Sequence, residues 1–153
     1  MAGVVFTVEQ TGIEKINERL GRLISLGEDA FKDLLAEIGE EVVSQTRTSF
    51  EEEKSPGGDA WEPSLRAMAE RGLTLSDTAR LKNSINFEVG ASEVEAGTNV
   101  VYGAIHQFGG KAGRGLKATM PARSYIPRDD TEITDLPALI DDYILRQVSG
   151  IHS

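Results

Sequence analysis

The segment Tyr102–Gly110 contains the residue best suited to chemistry, because His106 is the only histidine outside the last two residues of the chain. An imidazole can act as the general base of a hydrolase when a nucleophile and an orienting acid lie beside it. The chain has no cysteine, no acid lies near His106 in sequence, and nothing marks Ser84 or Ser124 as an activated serine. The sequence therefore predicts no catalytic residue, and we expect His106 to be packed, with a ring N–H donated to a backbone carbonyl.

Two other patterns resemble ligand sites without meeting their requirements. Gly110–Gly115 has the glycine spacing of a phosphate-binding loop, but Leu116 follows where a lysine is needed. The carboxylate pairs Asp129–Asp130 and Asp141–Asp142 consist of adjacent residues, which point in different directions on a helix and do not converge on one ion. With two histidines and no cysteine, no zinc-ligand spacing can be assembled. We therefore expect neither a cofactor nor a metal.

The formal net charge of -9 argues against a surface that coats nucleic acid and disfavours a regulatory DNA-binding protein. The charge is unevenly distributed, since the stretch from Ala96 to Arg128 contains no acidic residue. Five basic residues lie in it, and they are the candidate subunit or partner interface: Lys111, Arg114, Lys117, Arg123 and Arg128. This segregation is typical either of a solvated loop or of a basic arm that meets an acidic surface on a neighbouring chain or, occasionally, the phosphates of nearby DNA.

The length of 153 residues predicts one domain over residues 1–153, which can bury a core without a disulfide or metal. The first residues lack the pattern of a signal peptide, and no apolar run is long enough to span a bilayer. The sequence thus predicts a protein that is cytoplasmic when made.

Hydrophobic periodicity predicts the elements that must position these residues. In chain order they are a strand at 4–8, a helix from 11 or 12 to 27, a second helix to about 50, a short helix at 65–71, a helical turn at 76–84 capped by Ser76, a hairpin at 85–98, a short helix at 102–108 and a last helix from 135. Loops at 51–60 and 109–117 are predicted to be mobile, with Trp61 anchoring the end of the first, and 121–127 is predicted to be extended. The prediction is an α+β fold, with two N-terminal amphipathic helices and a C-terminal helix packed around a small antiparallel β-sheet.

Four segments carry a family resemblance: Gly58–Leu65, Leu75–Ile85, Tyr102–Gly110 and Met120–Pro127. Together they resemble the phage virion morphogenesis family, the tail-completion and neck proteins of Mu-like and related tailed phages. The last two are similar to the YAxIHQFG-like and PARPFL-like segments of that family. Ala79 stands where the family usually shows Gly, and Ser124-Tyr125 stands where it usually shows Pro-Phe.

The resemblance implies a non-enzymatic structural protein of a phage or prophage that completes the tail end and allows its joining to the head. Implied partners are other copies of itself in a ring, phage tail and neck proteins, and DNA at most passing through the channel, with no membrane. The protein would be in the host cytoplasm during assembly and then in the virion. The structural motif residues are Trp61, Tyr102, His106, Gln107, Phe108, Gly109 and Pro121. The alternative is a small hydrolase or nucleic-acid-modifying enzyme that uses His106.

Overall fold

The computed structural model describes residues 2–7, Gly21, 27–75 and 79–151. In chain order the elements are β1 (Ala2–Thr7), α1 (Glu28–Glu52), α2 (Leu65–Glu70), α3 (Arg80–Ser84), β2 (Asn86–Val89), β3 (Glu93–Thr98), α4 (Gly103–Phe108), β4 (Gly110–Ala112), β5 (Ala118–Met120) and α5 (Leu136–Ile151), with 3-10 turns at Arg114–Leu116 and Asp130–Glu132. These elements confirm the predicted α+β class. The helix predicted from 11 or 12 to 27 lies outside the described residues except at Gly21 and Gly27, and so does the Ser76 cap.

The three-stranded sheet has the order β1-β3-β2, and both pairings are antiparallel. The predicted hairpin is confirmed, because β2 and β3 pair from Asn86 with Gly97 to Val89 with Val94. The N–H of Gly90 closes its turn on the carbonyl of Glu93 at 2.8 Å. Buried residues alternate along β3 at Val94, Ala96 and Thr98, as the sequence predicts. These residues lie on the face of the sheet that packs against the core.

Helix α1 covers that sheet and supplies the largest part of the core. Its buried residues follow the three-four spacing that predicts it: Leu34, Leu35, Ile38, Val42, Val43 and Phe50. A side chain at Gly39 would overlap the ring of Phe87, so glycine at this position lets the helix lie close against β2. The helix starts at Glu28, and Glu28 and Asp29 lie in its first turn, where carboxylates complement the helix dipole.

Helix α5 packs beside α1 through Ile140, Tyr143 and Ile144, which are all buried, as the predicted apolar face requires. The hydroxyl of Tyr143 donates to the carbonyl of Ala30 at 2.7 Å and ties the two helices together. At their exposed sides, Arg146 binds both carboxylate oxygens of Glu37, at 2.7 and 3.0 Å.

The loop that follows α1 is held by more hydrogen bonds than the predicted mobile loop would have. Ser55 donates its N–H to the carbonyl of Asp59 at 2.7 Å, and Trp61 donates its N–H to the carbonyl of Glu53 at 2.7 Å. The Trp61 side chain is buried, meets Phe50 edge-on at 5.5 Å between ring centroids, and donates its indole N–H to the carbonyl of Ser124 at 2.9 Å.

The short helix α2 is present as predicted, but its apolar residues face outward. Leu65 is 83% exposed and Met68 is 58% exposed, whereas Ala67 is buried. Ser64 caps the helix by accepting the N–H of Ala67 at 3.1 Å.

The stretch predicted as a flexible arm at 109–117 is folded, which corrects that prediction. Strands β4 and β5 pair antiparallel from Gly110 with Met120 to Ala112 with Ala118. The 3-10 turn Arg114–Leu116 forms the tip. We call residues 110–120 the basic hairpin.

Candidate functional site: a basic hairpin on a hydrogen-bonded base

The base of the site is the contact between α4 and the extended segment 121–127, and Gln107 is at its centre. The side chain of Gln107 is 3% exposed. Its Oε1 accepts the N–H groups of Tyr125 and Ile126, each at 3.0 Å. Its Nε2 donates to the hydroxyl of Ser124 at 3.0 Å and to the carbonyl of Ile126 at 2.9 Å. One buried amide thus joins two segments that lie apart in sequence.

Further contacts fix the two segments at both ends of α4. Arg123 donates its N–H to the carbonyl of His106 at 2.7 Å, and the hydroxyl of Tyr125 donates to the carbonyl of Gly103 at 2.7 Å. Gly109 has φ of 70°, and a Cβ there would lie 2.8 Å from the backbone nitrogen of Ala122. The left-handed backbone and the close approach both require glycine where α4 ends.

Three of the five candidate interface cations form the exposed face of the basic hairpin. Lys111, Arg114 and Lys117 are all exposed. Within the part of the chain that the structure describes, none of the three forms an ion pair or side-chain hydrogen bond. They lie within eleven residues of backbone folded as a hairpin, so their charges are held on one projecting element.

The other two predicted cations have intramolecular partners. Arg123 is only 4% exposed and donates its Nε to the carbonyl of Glu62 at 2.6 Å, so its guanidinium supports the fold from inside. Arg128 is exposed but is bound to Glu132 through Nε at 2.9 Å and Nη2 at 2.5 Å. The sequence stretch from Lys111 to Arg128 is therefore not one surface.

His106 lies in a cleft of about 630 Å³ that Arg66, Arg80 and Arg123 also line, which we call the basic cleft. Its ring meets Tyr102 edge-on at 5.8 Å. Burial and, to a smaller extent, the charge of Arg123 hold the pKa of His106 below its ordinary value of 6.5. The expected ring bond to a carbonyl is absent at Nδ1, which is buried and has no partner among the described residues.

The arrangement around His106 gives no support to the hydrolase alternative. The hydroxyl of Ser84 donates to the carbonyl of Leu81 at 2.7 Å, and that of Ser124 donates to the carbonyl of Ile126 at 3.2 Å. Neither is bonded to the imidazole, as a nucleophile activated by a base would be. No group of three or more potential metal ligands occurs among the described residues.

The outward side of α4 carries aromatic side chains. Phe108 is 61% exposed and Tyr102 is 40% exposed, while the polar Gln107 is buried. Three-residue spacing of Tyr102, Ile105 and Phe108 predicts a shared face, but it does not say whether that face lies inward. The sequence also does not show what Gln107 binds, although the amide of a glutamine can pair with an extended segment.

No helix in the described part of the chain is long and apolar enough to cross a membrane.

The chain is similar in sequence to proteins of phages and prophages. The profile of the phage virion morphogenesis family matches residues 11–147. Mu-like prophage FluMu G protein 2 of Haemophilus influenzae is 43% identical over 82 residues, which are 52% of this chain and 57% of that protein. The chain thus spans little more than half the length of that relative. No solved structure matches the chain significantly.

The family match covers both segments that Gln107 joins and the basic hairpin between them. A match over residues 11–147 also spans nearly all of the described fold. The chain therefore belongs to the phage virion morphogenesis family.

Proposed function

We propose that the protein completes the phage tail end and supports head–tail joining, as a ring whose subunits meet through head-to-tail contacts. Its partners are then other copies of itself and the tail and neck proteins, and DNA at most passes through the channel. It acts in the host cytoplasm during assembly and remains in the virion. Membership of the family supports the role in morphogenesis. The cations of the basic hairpin and the acidic net charge of the chain support the ring and its contacts.

The observation that carries the proposal is the basic hairpin, whose three cations form no ion pair with any described residue, in a chain of net charge -9. A soluble surface does not need its cations gathered on one projecting element. Complementary charged patches accelerate encounter and set orientation, and their effect weakens with salt. A hairpin on one copy that meets acid on the next gives a heterologous contact, which closes into a ring when the rotation allows.

The candidate acidic counterparts of the hairpin are the exposed acids of α1 and α5. Of the acids on these helices, Glu37 and Asp142 are both bound by Arg146 in the same chain. Glu40 is exposed on α1. We therefore place the neighbour's acidic surface along α1 around Glu40.

Tail completion in vitro tests this mechanism. Tails that lack the protein are supplied with wild type or with the triple variant Lys111→Glu, Arg114→Glu and Lys117→Glu, at low and high salt. The matched control is Lys54→Glu, Arg71→Glu and Arg80→Glu, which makes the same change in net charge at exposed residues that lie neither on the hairpin nor on α1. We expect the hairpin variant to complete tails more slowly than the control, with the largest difference at low salt.

Equal rates for the two triple variants at both salt concentrations would show that the hairpin charges do not drive assembly. The hydrolase alternative has its own test, because His106→Ala would abolish a turnover that wild type shows on some substrate without changing the completion of tails.

A further inference from the structure

The guanidinium of Arg123 is a buried charge without an acidic partner among the residues that the structure describes. Its Nε donates to the carbonyl of Glu62 at 2.6 Å, which is an uncharged group. Its Nη1 and Nη2 form no hydrogen bond or ion pair with any described residue. An arginine that is only 4% exposed is normally paired, because the desolvation of an unpaired charge is costly. The described part of the chain therefore leaves this cation uncompensated.

The two outer nitrogens of Arg123 open onto the basic cleft. Within the described ranges, Nδ1 of His106 is the one side-chain nitrogen or oxygen of a buried or half-buried residue that is both fully enclosed and without a hydrogen-bond partner. Nη1 and Nη2 of Arg123 also lack a partner, so they are not fully enclosed. Because Arg123 lines the basic cleft, these two donors lie at its wall.

His106 adds a second polar group to the same cleft. Burial and then the charge of Arg123 lower the pKa of His106, so the cation lies close to the imidazole ring. The Nε2 of the ring has no hydrogen-bond partner among the described residues, and it is not fully enclosed. A neutral imidazole that carries its proton on Nε2 is a donor at this atom. An anion in the cleft therefore has a neutral donor available beside the cation.

The other two arginines of the basic cleft are already engaged within the chain. Arg66 is bound to Glu70 at 3.0 Å and donates to the carbonyl of Leu73 at 2.9 Å. Arg80 also interacts with another group of the chain. No acid lines the cleft among the described residues, so the charge without a partner is that of Arg123. A carboxylate brings one negative charge and two oxygens to the two nitrogens, whereas a phosphate group brings a charge of about -1.5 to -2 at pH 7.

The basic cleft is too large and too apolar to suit a simple ion. Its volume of about 630 Å³ falls within the range of about 300–1,000 Å³ that is usual for organic ligands. Leu75, Leu81 and Met120 line it together with Tyr102. Such a lining fits an organic anion that carries an apolar group beside its carboxylate.

We propose that the basic cleft binds a small organic acid, with its carboxylate on Nη1 and Nη2 of Arg123 and its apolar group against Leu75 and Met120. The carboxylate supplies the buried cation with the partner that the described chain does not provide. The site uses none of the exposed cations of the basic hairpin, and it does not depend on the proposed role in tail completion. A ligand that binds only the folded chain also stabilises it.

N-acetyl-leucine is the probe, because it carries one carboxylate beside an apolar side chain, and N-acetyl-leucine amide is its uncharged control. The ring signals of the two histidines, His106 and His152, are followed by NMR at constant pH, and His106→Asn assigns them. We expect N-acetyl-leucine to shift the His106 signal with a Kd of about 1 mM, the affinity expected for a ligand of this size. The same ligand should raise the Tm of the wild-type protein.

The amide and the His152 signal are the controls, and neither should give a saturable shift. Binding of the amide as tight as that of the acid would show that the carboxylate is not recognised and would overturn the proposal. Inorganic phosphate is the third ligand, and tighter binding of phosphate than of N-acetyl-leucine would overturn the assignment of a carboxylate. Absence of saturation well above the expected Kd, or equal shifts of both histidines, would show that the cleft is not a site for this class of ligand.

A pair of methionine variants locates the bound ligand. Met120→Glu adds a carboxylate to the wall of the cleft, whereas Met68→Glu makes the same change at a residue on α2 that is 58% exposed and lies outside the cleft. We expect Met120→Glu to weaken the binding of N-acetyl-leucine by about tenfold or more, because like charges repel, and Met68→Glu to bind it as wild type does. Equal affinities of the two folded variants would place the ligand elsewhere and overturn the proposal.

A pair of arginine variants tests the planar guanidinium. Arg123→Lys keeps the charge but cannot present two nitrogens to one carboxylate, so we expect it to weaken binding by about tenfold. Arg71→Lys is the control, because Arg71 is exposed and lies outside the cleft. Both are measured below their Tm, and a folded Arg123→Lys protein that binds as tightly as Arg71→Lys would exclude Arg123 as the carboxylate-binding residue.

Discussion

The amide of Gln107 pairs with both backbone groups of Ile126, accepting its N–H at 3.0 Å and donating to its carbonyl at 2.9 Å. This is the pairing that a neighbouring strand would give, made here by a side chain from a helix. The extended segment 121–127 therefore has a partner in the core without belonging to a sheet.

The first prediction concerns that amide. Gln107→Ala leaves buried groups of Tyr125 and Ile126 unpaired, and we expect it to lower the free energy of unfolding by at least about 2 kcal/mol. Urea denaturation measures the change. Gln45→Ala is the control, because Gln45 also makes long-range bonds, to Glu132 and Thr134, but is only partly buried. A loss at Gln107 no larger than that at Gln45 would contradict the central role of the amide.

The second prediction concerns pH. The pKa of His106 lies below its unfolded value of 6.5, because burial and Arg123 disfavour the imidazolium. The unfolded chain thus binds more protons in this range, so the stability from neutral His106 is present above pH 6.5 and is lost as the pH falls toward the folded-state pKa.

Urea unfolding at pH 7.5 and 5.5 measures this contribution. We expect wild type to lose more stability on acidification than His106→Asn, whose side chain does not titrate. Comparing the two removes the contributions of carboxylates and of His152, which both proteins share. An equal loss in both would show that His106 is not the titrating group.

The third prediction compares two glycines in helices. A side chain at Gly39 would overlap Phe87, so we expect Gly39→Ala to destabilise the protein by about 1–3 kcal/mol despite its better helix propensity. At Gly21 nothing lies within 4 Å of an added Cβ, and Gly21→Ala should instead stabilise by about 0.5–1 kcal/mol. Thermal unfolding of both variants checks the opposite signs, and Phe87→Leu should partly rescue Gly39→Ala.

The fourth prediction concerns proteolysis. Lys54 lies in the hydrogen-bonded loop and bridges to Ala60, whereas Arg114 and Lys117 lie at the exposed tip of a two-stranded hairpin. Among the described residues, we expect trypsin to cut first at Arg114 or Lys117. Mass spectrometry of early fragments identifies the site, and a first cut at Lys54 would show that the loop opens more easily than the tip.

The fifth prediction separates Arg123 from the surface cations. Because its buried Nε is bonded to the carbonyl of Glu62, Arg123→Ala should lower the free energy of unfolding by about 1.5–3 kcal/mol. Its effect on tail completion should follow the folded fraction and not the salt concentration. A stable Arg123→Ala protein with a salt-dependent assembly defect would instead assign Arg123 to the interface.

The hydrophobic periodicity of the sequence was sufficient to predict those elements that bury one regular face. The stripe from Leu34 to Phe50 and the alternation in the β2–β3 hairpin predict α1 and these strands with nearly correct bounds. The same reasoning missed β4 and β5, because each has three residues, mostly exposed, and is rich in glycine or small side chains. It also predicted α2 and α4 without assigning their inward faces, since one or two helical turns carry too few residues to define an inward side.

The candidate site was only partly predictable because it depends on contacts between distant segments. Local sequence identifies the cations of the hairpin, but it cannot show that Arg123 turns inward while Arg128 binds Glu132. Local sequence also cannot show that Arg66, Arg80 and His106 line the same cleft. A second cleft, between α1 and β2, likewise arises from residues more than thirty positions apart, such as Glu51 and Phe87.

The basic hairpin begins and ends beside the same short helix, α4. The chain leaves α4 at Gly109 and returns to it at Arg123. Gly109 donates its N–H to the carbonyl of Ile105, and Arg123 donates its N–H to the carbonyl of His106. Two adjacent carbonyls thus fix both ends of the hairpin, whatever lies between them. The length and the tip of the hairpin can therefore change without removing either hydrogen bond, because both bonds lie at its base.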